Sequence, residues 1–301
     1  MRYYIVDAFT DELFKGNQAG VCLLDEAIGV ELMQSIAAEN NLSETAFVVR
    51  QDGYYDLRWF TPEMEVDLCG HATLASAFII LGFVEKHAES VEFHTQSGVL
   101  TVRRTGELLE MDFPSRKPVP IPITPLMEEA VGVPVLEAGL SRDMLLLVES
   151  EQQVRELRPN MSLVSQLPDC MALIVTAVGE STEKGSVEIG EGSEIGEGSE
   201  NGEGSGKGEG SENSEGSEKG ESIDFVSRFF APKAGIDEDP VTGSSHSTLI
   251  PYWAEKLGKD KMVAQQLSKR GGILYCENYG ERVKIAGKAV LYLEGKIRAQ
   301  G

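Results

Sequence analysis

One pattern occurs twice in the 301-residue chain, and it constrains the fold more than any other feature. In the first copy, residues 55–60 alternate in polarity and include aromatic side chains, which predicts a half-buried strand, and a helical run follows from Gly70. In the second copy, residues 223–230 predict a strand, and a helical run follows from Ser244. A proline ends each predicted strand. This repetition predicts two related halves with a functional site between them.

Each of the two helical runs is predicted to end at a glycine. Gly82 follows the first run and Gly258 follows the second. A helix C-terminus favours a residue that adopts positive φ, and glycine does so without steric cost.

The charge of the chain argues against nucleic acid as a partner. The net charge is −22, of which residues 183–221, with twelve Glu and three Lys, supply −9. A chain this acidic is poorly suited to neutralising phosphates along a nucleic acid. A small anionic metabolite is compatible with it, because the N-terminus of a helix attracts anions locally.

The sequence predicts a cytoplasmic protein that does not contact a membrane. Residues 1–7 lack an apolar leader, and the longest apolar run, 72–84, is shorter than the roughly 20 residues of a membrane span. The four cysteines show no CxxC spacing, so we expect neither a disulfide framework nor a metal site.

Two stretches of biased composition divide the chain. Five prolines between residues 114 and 125 predict a crossover between an N-terminal lobe, 1–117 plus 288–301, and a C-terminal lobe, 118–287. Hexads close to Gly-Glu-Gly-Ser-Glu-Xaa recur from 190 to 220. They contain almost no apolar position that could build a core, so we expect a disordered surface insertion at about 182–221.

Both helix starts carry residues suited to binding an anion. Gly70 and Gly243 lack a Cβ, so a ligand could approach the free backbone amides, and Ser244 adds a hydroxyl donor. Each glycine follows an aspartate, Asp67 or Asp239. The alternative is that both aspartates and Ser244 only cap helices.

Two further residues are candidates for acid–base chemistry. His71 lies at the first helix start, within reach of a ligand bound to the amides there. Glu44 precedes a predicted buried strand, where a carboxylate must be paired or protonated, and this suits a group that passes a proton in both directions. The alternatives are a histidine with one backbone hydrogen bond and a carboxylate that points to solvent.

Several motifs together resemble the PhzF family of phenazine-biosynthesis-like isomerases. The match covers nearly the whole chain outside the acidic insertion. The motifs are Asp-Ala-Phe-Thr at 7–10, Gly-Asn-Gln-Ala at 16–19, Asn-Leu-Ser-Glu-Thr at 41–45, Phe-Thr-Pro at 60–62, Leu-Cys-Gly-His-Ala-Thr at 68–73, Met-Asp-Phe-Pro at 111–114, Glu-Asp-Pro-Val-Thr-Gly-Ser at 238–244 and Arg-Gly-Gly at 270–272.

The resemblance implies an α+β protein of the diaminopimelate-epimerase fold. Its two similar halves would each wrap a mixed β-sheet around a central helix, with the site in the cleft between them. Family members are generally homodimers that use no cofactor. The best-known member moves a proton from C3 to C5 of trans-2,3-dihydro-3-hydroxyanthranilate.

The resemblance also implies roles for individual residues. Glu44 would be the acid/base that removes and returns the proton, and the other polar residues of the family's site match His71, Asp239 and Ser244. Substrate contacts are expected at Cys69, Gly70, Ala72, Thr242, Gly243 and Asn17.

Two alternative functions stay open on the sequence. A racemase of this fold usually places a cysteine from each half on opposite faces of one carbon, and Cys69 could be the first of them. Thr242 occupies the second position, however, and its hydroxyl is too weakly acidic for that role. A loose pairing of the preceding strands sets Glu44 against Cys170. The other alternative is a non-catalytic member that binds a metabolite or a protein.

Overall fold

The most buried helix in the described part of the chain is α2, Gly70–Ile79, in which nine of the ten residues are buried. Its side chains are small or apolar on every side, so the helix must be surrounded by other elements rather than lie on a surface. The structure is a computed structural model that describes residues 1–180 and 222–298. The insertion predicted at about 182–221 lies outside the described residues.

Eighteen strands are present in the described parts of the chain. The N-terminal strands are β1 (Arg2–Ala8), β2 (Asn17–Leu24), β3 (Glu44–Arg50), β4 (Tyr55–Phe60), β5 (Glu65–Val66), β6 (Ser90–Thr95), β7 (Gly98–Thr105) and β8 (Leu108–Pro114). The others are β9 (Val119–Ile121), β10 (Glu137–Leu140), β11 (Met144–Leu147), β12 (Leu173–Val178), β13 (Phe225–Ala231), β14 (Ile236–Asp239), β15 (Lys261–Gln266), β16 (Gly272–Tyr279), β17 (Arg282–Gly287) and β18 (Ala289–Lys296).

Five other α-helices are present in the described ranges. They are α1 (Val30–Asn40), α3 (Pro125–Val131), α4 (Glu151–Glu156), α5 (Met161–Val164) and α6 (His246–Leu257). Proline at the first position of α3 suits a helix start, because it has no N–H to leave unpaired there. No helix in the described ranges is long and apolar enough to cross a membrane.

The strand pairings confirm the duplication. In the first half, β2 is parallel to β3, β3 antiparallel to β4, β4 parallel to β6, and β6, β7 and β8 form an antiparallel meander. In the second half, β11, β12, β13, β15, β16 and β17 repeat every one of these pairings in the same sense and order. The protein is therefore an α+β fold of two related halves, with α2 and α6 at matching places.

Two contacts complete and join the halves. The C-terminal strand β18 returns to pair with β1, and the short strand β9 pairs with β10 in the same antiparallel sense. Strands β8 and β17, the last of each meander, pair with one another. One buried apolar cluster includes side chains from both α2 and α6, so packing is continuous across this junction.

Helix α6 contains a proline whose cost is offset by a neighbouring segment. Pro251 has no N–H to donate to the carbonyl of Ser247, four residues earlier. The backbone N–H of Arg116 donates to that carbonyl instead, at 2.8 Å. The turn after β8 thereby satisfies the buried acceptor that the proline leaves free.

Two predicted helix boundaries differ in the structure. Gly82 was expected to end the first helix with positive φ, but a π-helical turn, Ile80–Val84, continues through it and closes with Glu85 N–H donating to the Ile80 carbonyl at 2.7 Å. The second helix begins at His246, after a turn that contains Ser244. Gly258 does end α6 with φ 66°, as predicted.

Candidate active site

A pocket of about 860 Å³ opens at the N-terminus of α2 and at the turn before α6. It is lined by residues from both repeated units, including Glu44, Cys69, Gly70, His71, Asp239, Thr242, Gly243 and Ser244. Of the residues predicted for the site, the structure therefore brings these eight together. Asn17 and Ala72 are fully buried and do not line the pocket.

Glu44 and His71 form a close pair at the edge of the pocket. Glu44 is the first residue of β3, opposite Ala19 of β2, and its Oε2 lies 3.0 Å from His71 Nε2 in the first turn of α2. The side chains are 12% and 5% exposed, so the pair is largely shielded from water. Their proximity makes a carboxylate and an imidazole available to one bound molecule.

Asp239 is held next to this pair by Asn17. The amide Nδ2 of Asn17 donates to Asp239 Oδ1 at 2.7 Å and to the Val241 carbonyl at 3.0 Å, and it lies 3.2 Å from His71 Nδ1. Asn17 begins β2 in the first half, whereas Asp239 ends β14 in the second. The polar network of the site thus connects the two halves.

The turn after β14 is held by two side chains. The hydroxyl of Thr242 donates to Asp239 Oδ2. Gln266 accepts from the Thr242 backbone N–H at 2.8 Å and donates to the Asp239 carbonyl at 2.7 Å. Neither aspartate of the repeated units caps its helix with a side-chain hydrogen bond, so the capping alternative is wrong.

Burial and neighbouring charges shift the pKa values of the site. Burial raises the pKa of Asp239 to about 6; Glu44 adds to the rise, while His71 and the hydrogen bonds from Thr242 and Asn17 oppose it. Burial lowers the pKa of His71, but Cys69 and Glu44 outweigh it, so that pKa lies well above its usual value. His71 is therefore a proton donor at neutral pH.

Cys69 is fully buried as the residue that precedes α2. Its Sγ lies 3.6 Å from His71 Nδ1 and 4.0 Å from His71 Nε2. Burial raises the pKa of the thiol, and the Glu44 carboxylate raises it further, although His71 opposes both. The free cysteine is thus in its neutral thiol form at neutral pH.

The two glycines of the repeated units face one another across the junction. A Cβ built on Gly70 would lie 3.5 Å from the Gly243 Cα and 3.8 Å from the Ser244 backbone nitrogen. These are ordinary contact distances, so no side chain separates the two turns. The backbone amides of both turns consequently border the same pocket.

The register of the strands aligns the two halves residue by residue. In each half a phenylalanine lies two residues before the proline that ends the strand, at Phe60 and at Phe230. Phe60 pairs with Thr45 of β3, and Phe230 pairs with Leu173 of β12. Thr45 and Leu173 therefore occupy equivalent positions.

This register corrects one pairing that the sequence suggested and identifies the counterpart of Asp239. The counterpart of Glu44 is Ala172 rather than Cys170, which lies two residues earlier and outside the strand. The counterpart of Asp239 is Val66, because each pairs with the residue before the aligned phenylalanine. Asp67 is exposed, so it does not match Asp239. Of the two halves, only the first has a carboxylate at the position of Glu44.

Three polar residues of the site escaped the sequence analysis. Gln266 supports the turn from the last position of β15, and Arg142 and Lys233 line the pocket on the side of the second half. No local pattern marks them, because strand pairing and the β10–β11 hairpin bring them to the site. His246 is buried, and its Nδ1–H donates to the Thr242 carbonyl at 2.9 Å.

Comparison with known proteins shows which family the chain belongs to. The family model described as phenazine biosynthesis-like protein matches residues 6–188 and 208–295. The chain belongs to this family. An uncharacterized isomerase of Pseudomonas aeruginosa is 42% identical over 292 residues, covering 97% of this chain and 96% of that protein. The resemblance inferred from the motifs is thereby confirmed, and the protein is an isomerase of this family.

Solved structures show the same fold over the whole length. A PhzF family protein of Enterococcus faecalis has a TM-score of 0.84 at 41% identity, covering 99% of both chains. A PhzC/PhzF protein of Clostridium difficile has a TM-score of 0.81 at 47% identity, covering 99% of this chain and 100% of that one. A hydroxyproline epimerase of Agrobacterium vitis, at 9% identity and a TM-score of 0.54, shares the fold alone.

Proposed function

We propose that this isomerase moves a proton between two carbons of a small cyclic or unsaturated carboxylic acid, without a cofactor, in the pocket between the repeated units. Glu44 is the acid/base that removes the proton at one carbon and returns it at another. The observation that carries the proposal is an asymmetry between the halves: Glu44 lines the pocket, whereas the equivalent position in the second half is Ala172.

The neighbours of Glu44 suit a proton shuttle. His71 Nε2, 3.0 Å from Glu44 Oε2, stabilises the carboxylate when it has released its proton. Asp239, whose pKa burial raises to about 6, accepts or donates a hydrogen bond to substrate according to its protonation. The amides at Gly70 and Gly243 bind the carboxylate of the substrate and the charge that develops during transfer.

A two-base racemase is a weaker interpretation of the same pocket. Stereoinversion at one carbon needs an acid and a base on opposite faces. Cys69 is present on one side, but its counterpart Thr242 donates its hydroxyl to Asp239 and has no acidity suited to the task. One acid/base on one face favours transfer along a ring or an allylic system.

Isotope exchange tests the proposal directly. Candidate cyclic enol and diene acids are incubated in D₂O with wild type, Glu44→Gln and Cys69→Ala, and deuterium uptake is followed by mass spectrometry. We expect uptake that falls by about 10²- to 10⁴-fold in Glu44→Gln and persists in Cys69→Ala. Loss in Cys69→Ala instead would favour a racemase, and absence of uptake in every variant would favour a binding protein.

A further inference from the structure

One cluster near the pocket combines three different metal-binding chemistries. Glu44, Cys69 and His71 each offer one ligand atom, and these atoms all lie within 4.8 Å of one another. We propose that the three side chains form an inhibitory binding site for a borderline-soft divalent cation such as Zn²⁺. The inhibition rests on the function proposed for Glu44, whereas the binding itself stands apart from it.

The distances between the ligand atoms approach those of a tetrahedral zinc site. Zinc bonds of about 2.0–2.3 Å at tetrahedral angles separate a nitrogen from an oxygen by about 3.3 Å and a nitrogen from a sulfur by about 3.6 Å. His71 Nε2 lies 3.0 Å from Glu44 Oε2 and 4.0 Å from Cys69 Sγ. The Glu44 oxygen and the Cys69 sulfur lie within 4.8 Å of one another, against about 3.6 Å in such a site, so side-chain shifts of up to about 1 Å would complete it.

The hydrogen bonding of the cluster also leaves atoms available to bind a cation. Glu44 Oε2 is buried, and within the described ranges no aligned hydrogen bond satisfies it. Asn17 Nδ2 has two hydrogens, which its shorter contacts with Asp239 and Val241 use. His71 Nδ1, 3.2 Å from that amide, can therefore keep its proton while Nε2 bonds the metal.

The composition of the cluster selects the type of metal. One sulfur, one imidazole nitrogen and one carboxylate oxygen suit Zn²⁺ or Co²⁺, whereas Mg²⁺ and Ca²⁺ require oxygen ligands. Binding replaces the S–H bond of Cys69 by a metal–sulfur bond and the Nε2–H bond of His71 by a metal–nitrogen bond, and both protons are released to solvent. All three residues line the pocket, so a cation could enter from solvent and a fourth ligand could come from water.

Occupancy would block proton transfer for a simple reason. A carboxylate oxygen of Glu44 bonded to the metal cannot remove a proton from carbon, and the metal lies where the substrate must approach. We therefore expect stoichiometric Zn²⁺ to abolish the deuterium uptake described above and excess chelator to restore it.

Two variants test the site, and two matched controls exclude other ligands. Cys69→Ala and Glu44→Gln each remove one ligand. Cys170→Ala makes the same thiol change outside the cluster, and His94→Gln removes the surface pair in which His94 Nε2 lies 2.8 Å from Glu92 Oε1. Melting temperatures of the metal-free variants identify any that fail to fold.

Binding of Zn²⁺ and Co²⁺ is measured by titration in excess Mg²⁺, which occupies sites made of carboxylates alone. We expect one tight Zn²⁺ per chain, weakened at least about tenfold in Cys69→Ala and Glu44→Gln and unchanged in both controls. The thiolate-to-Co²⁺ charge-transfer absorption should disappear only in Cys69→Ala.

Three outcomes would overturn the inference: no tight site, affinity unchanged in Cys69→Ala, or affinity lost in a control. Full occupancy with undiminished deuterium uptake would overturn the inhibitory role. If the metal-free wild type exchanges no tested acid, the proposed function fails, whereas the titration still decides whether the site exists.

Discussion

At the scale of single residues, three ionisable groups share one shielded network. Glu44 and His71 come from the first half, and Asp239 comes from the second. The Glu44 carboxylate raises the pKa of both neighbours, while His71 lowers that of Asp239. A change in one protonation state therefore alters the others, which is a property of a proton-transfer site rather than of an isolated ion pair.

The raised pKa of Asp239 predicts that the free energy of unfolding decreases as the pH rises. The folded protein holds the Asp239 proton up to about pH 6, and the unfolded chain releases it near 3.8, so ionisation in the fold costs free energy as the pH rises between these values. Because the side chain is partly exposed, we expect Asp239→Asn to gain about 1–3 kcal/mol over wild type between pH 4 and 7.5. Urea denaturation at both values measures this gain.

His246 provides a contribution of opposite sign. Burial lowers its pKa to about 4, so its contribution to stability is lost as the pH falls from about 6.5 through 4. The contribution of His246 to stability is the same in wild type and in Asp239→Asn, so it cancels when the two are compared. The exposed residue Asp237, changed to Asn, serves as the control, and an equal response of both variants to pH would contradict the role assigned to burial.

At the scale of elements, the close approach of two turns decides the shape of the pocket. Helix α2 begins at Gly70, and the turn before α6 contains Gly243, with only backbone between them. Neither glycine has positive φ in the structure, so the close approach of the two turns, rather than backbone conformation, favours a small residue here.

Gly70→Ala should therefore lower activity while leaving stability almost unchanged. The added methyl would meet only ordinary contacts, 3.5 Å or more from its neighbours, so we expect stability within about 1 kcal/mol of wild type. It would also shield the amides of the pocket and displace the substrate, lowering kcat/KM by about 10- to 100-fold. Unchanged kinetics in exchange assays would show that substrate does not bind at these amides.

Gly272→Ala should have the opposite profile, with stability as the main loss. Its Cβ would lie 2.6 Å from Val241 Cγ2 and 2.9 Å from the Phe9 carbonyl oxygen, which cannot move without shifting the backbone. We expect a loss of about 1–3 kcal/mol in the free energy of unfolding, measured in urea. Gly82→Ala is the matched control, since a Cβ there meets nothing within 4 Å.

At the scale of the whole molecule, the described residues complete the sheet on both sides of the insertion predicted at about 182–221. Strands β12 and β13 pair up to their ends, with Val178 opposite Phe225, and the Gly179 N–H donates to the Asp224 carbonyl at 3.0 Å. The chain thus leaves and re-enters the sheet at adjacent points. The homodimer predicted from the family resemblance stays a prediction, which light scattering of the purified protein would test.

Excision of residues 183–221 should leave a folded and active protein. The two strand ends are already adjacent, so the seven remaining residues can join them, and the net charge changes from −22 to −13. A connection more than sixfold shorter should raise the free energy of unfolding by about 1–2 kcal/mol. Urea denaturation and deuterium uptake measure both effects, and loss of the pocket's activity would show that the segment takes part in function.

Much of the architecture could be predicted because it is encoded locally. Alternation of polarity identified the strand around Trp59, the repeated pattern identified the strand around Phe229, and proline marked where both strands end. The prediction that the first helix ends at Gly82 was wrong. Glycine is common both at helix ends and within irregular turns, and only packing of the following segment selects a π-helical turn.

The site was predictable only in part, for a related reason. The motifs identified Glu44, His71 and Asp239 as site residues, but a loose pairing of the strands along the sequence set Glu44 against Cys170. The hydrogen-bonded register instead aligns Glu44 with Ala172. Gln266 and Arg142 carry no signal of their own.

The sequence by itself determined that the chain has two related halves, which segments are strands, and which family the protein belongs to, because these depend on composition and spacing within short segments. The tertiary structure alone decided which residues meet. Asn17 and Asp239, separated by 222 positions, share a hydrogen bond, and of two equivalent strand positions at the pocket one holds Glu44 and the other Ala172. Such contacts depend on strand register and on the packing of α2 against the second half, which no local pattern encodes.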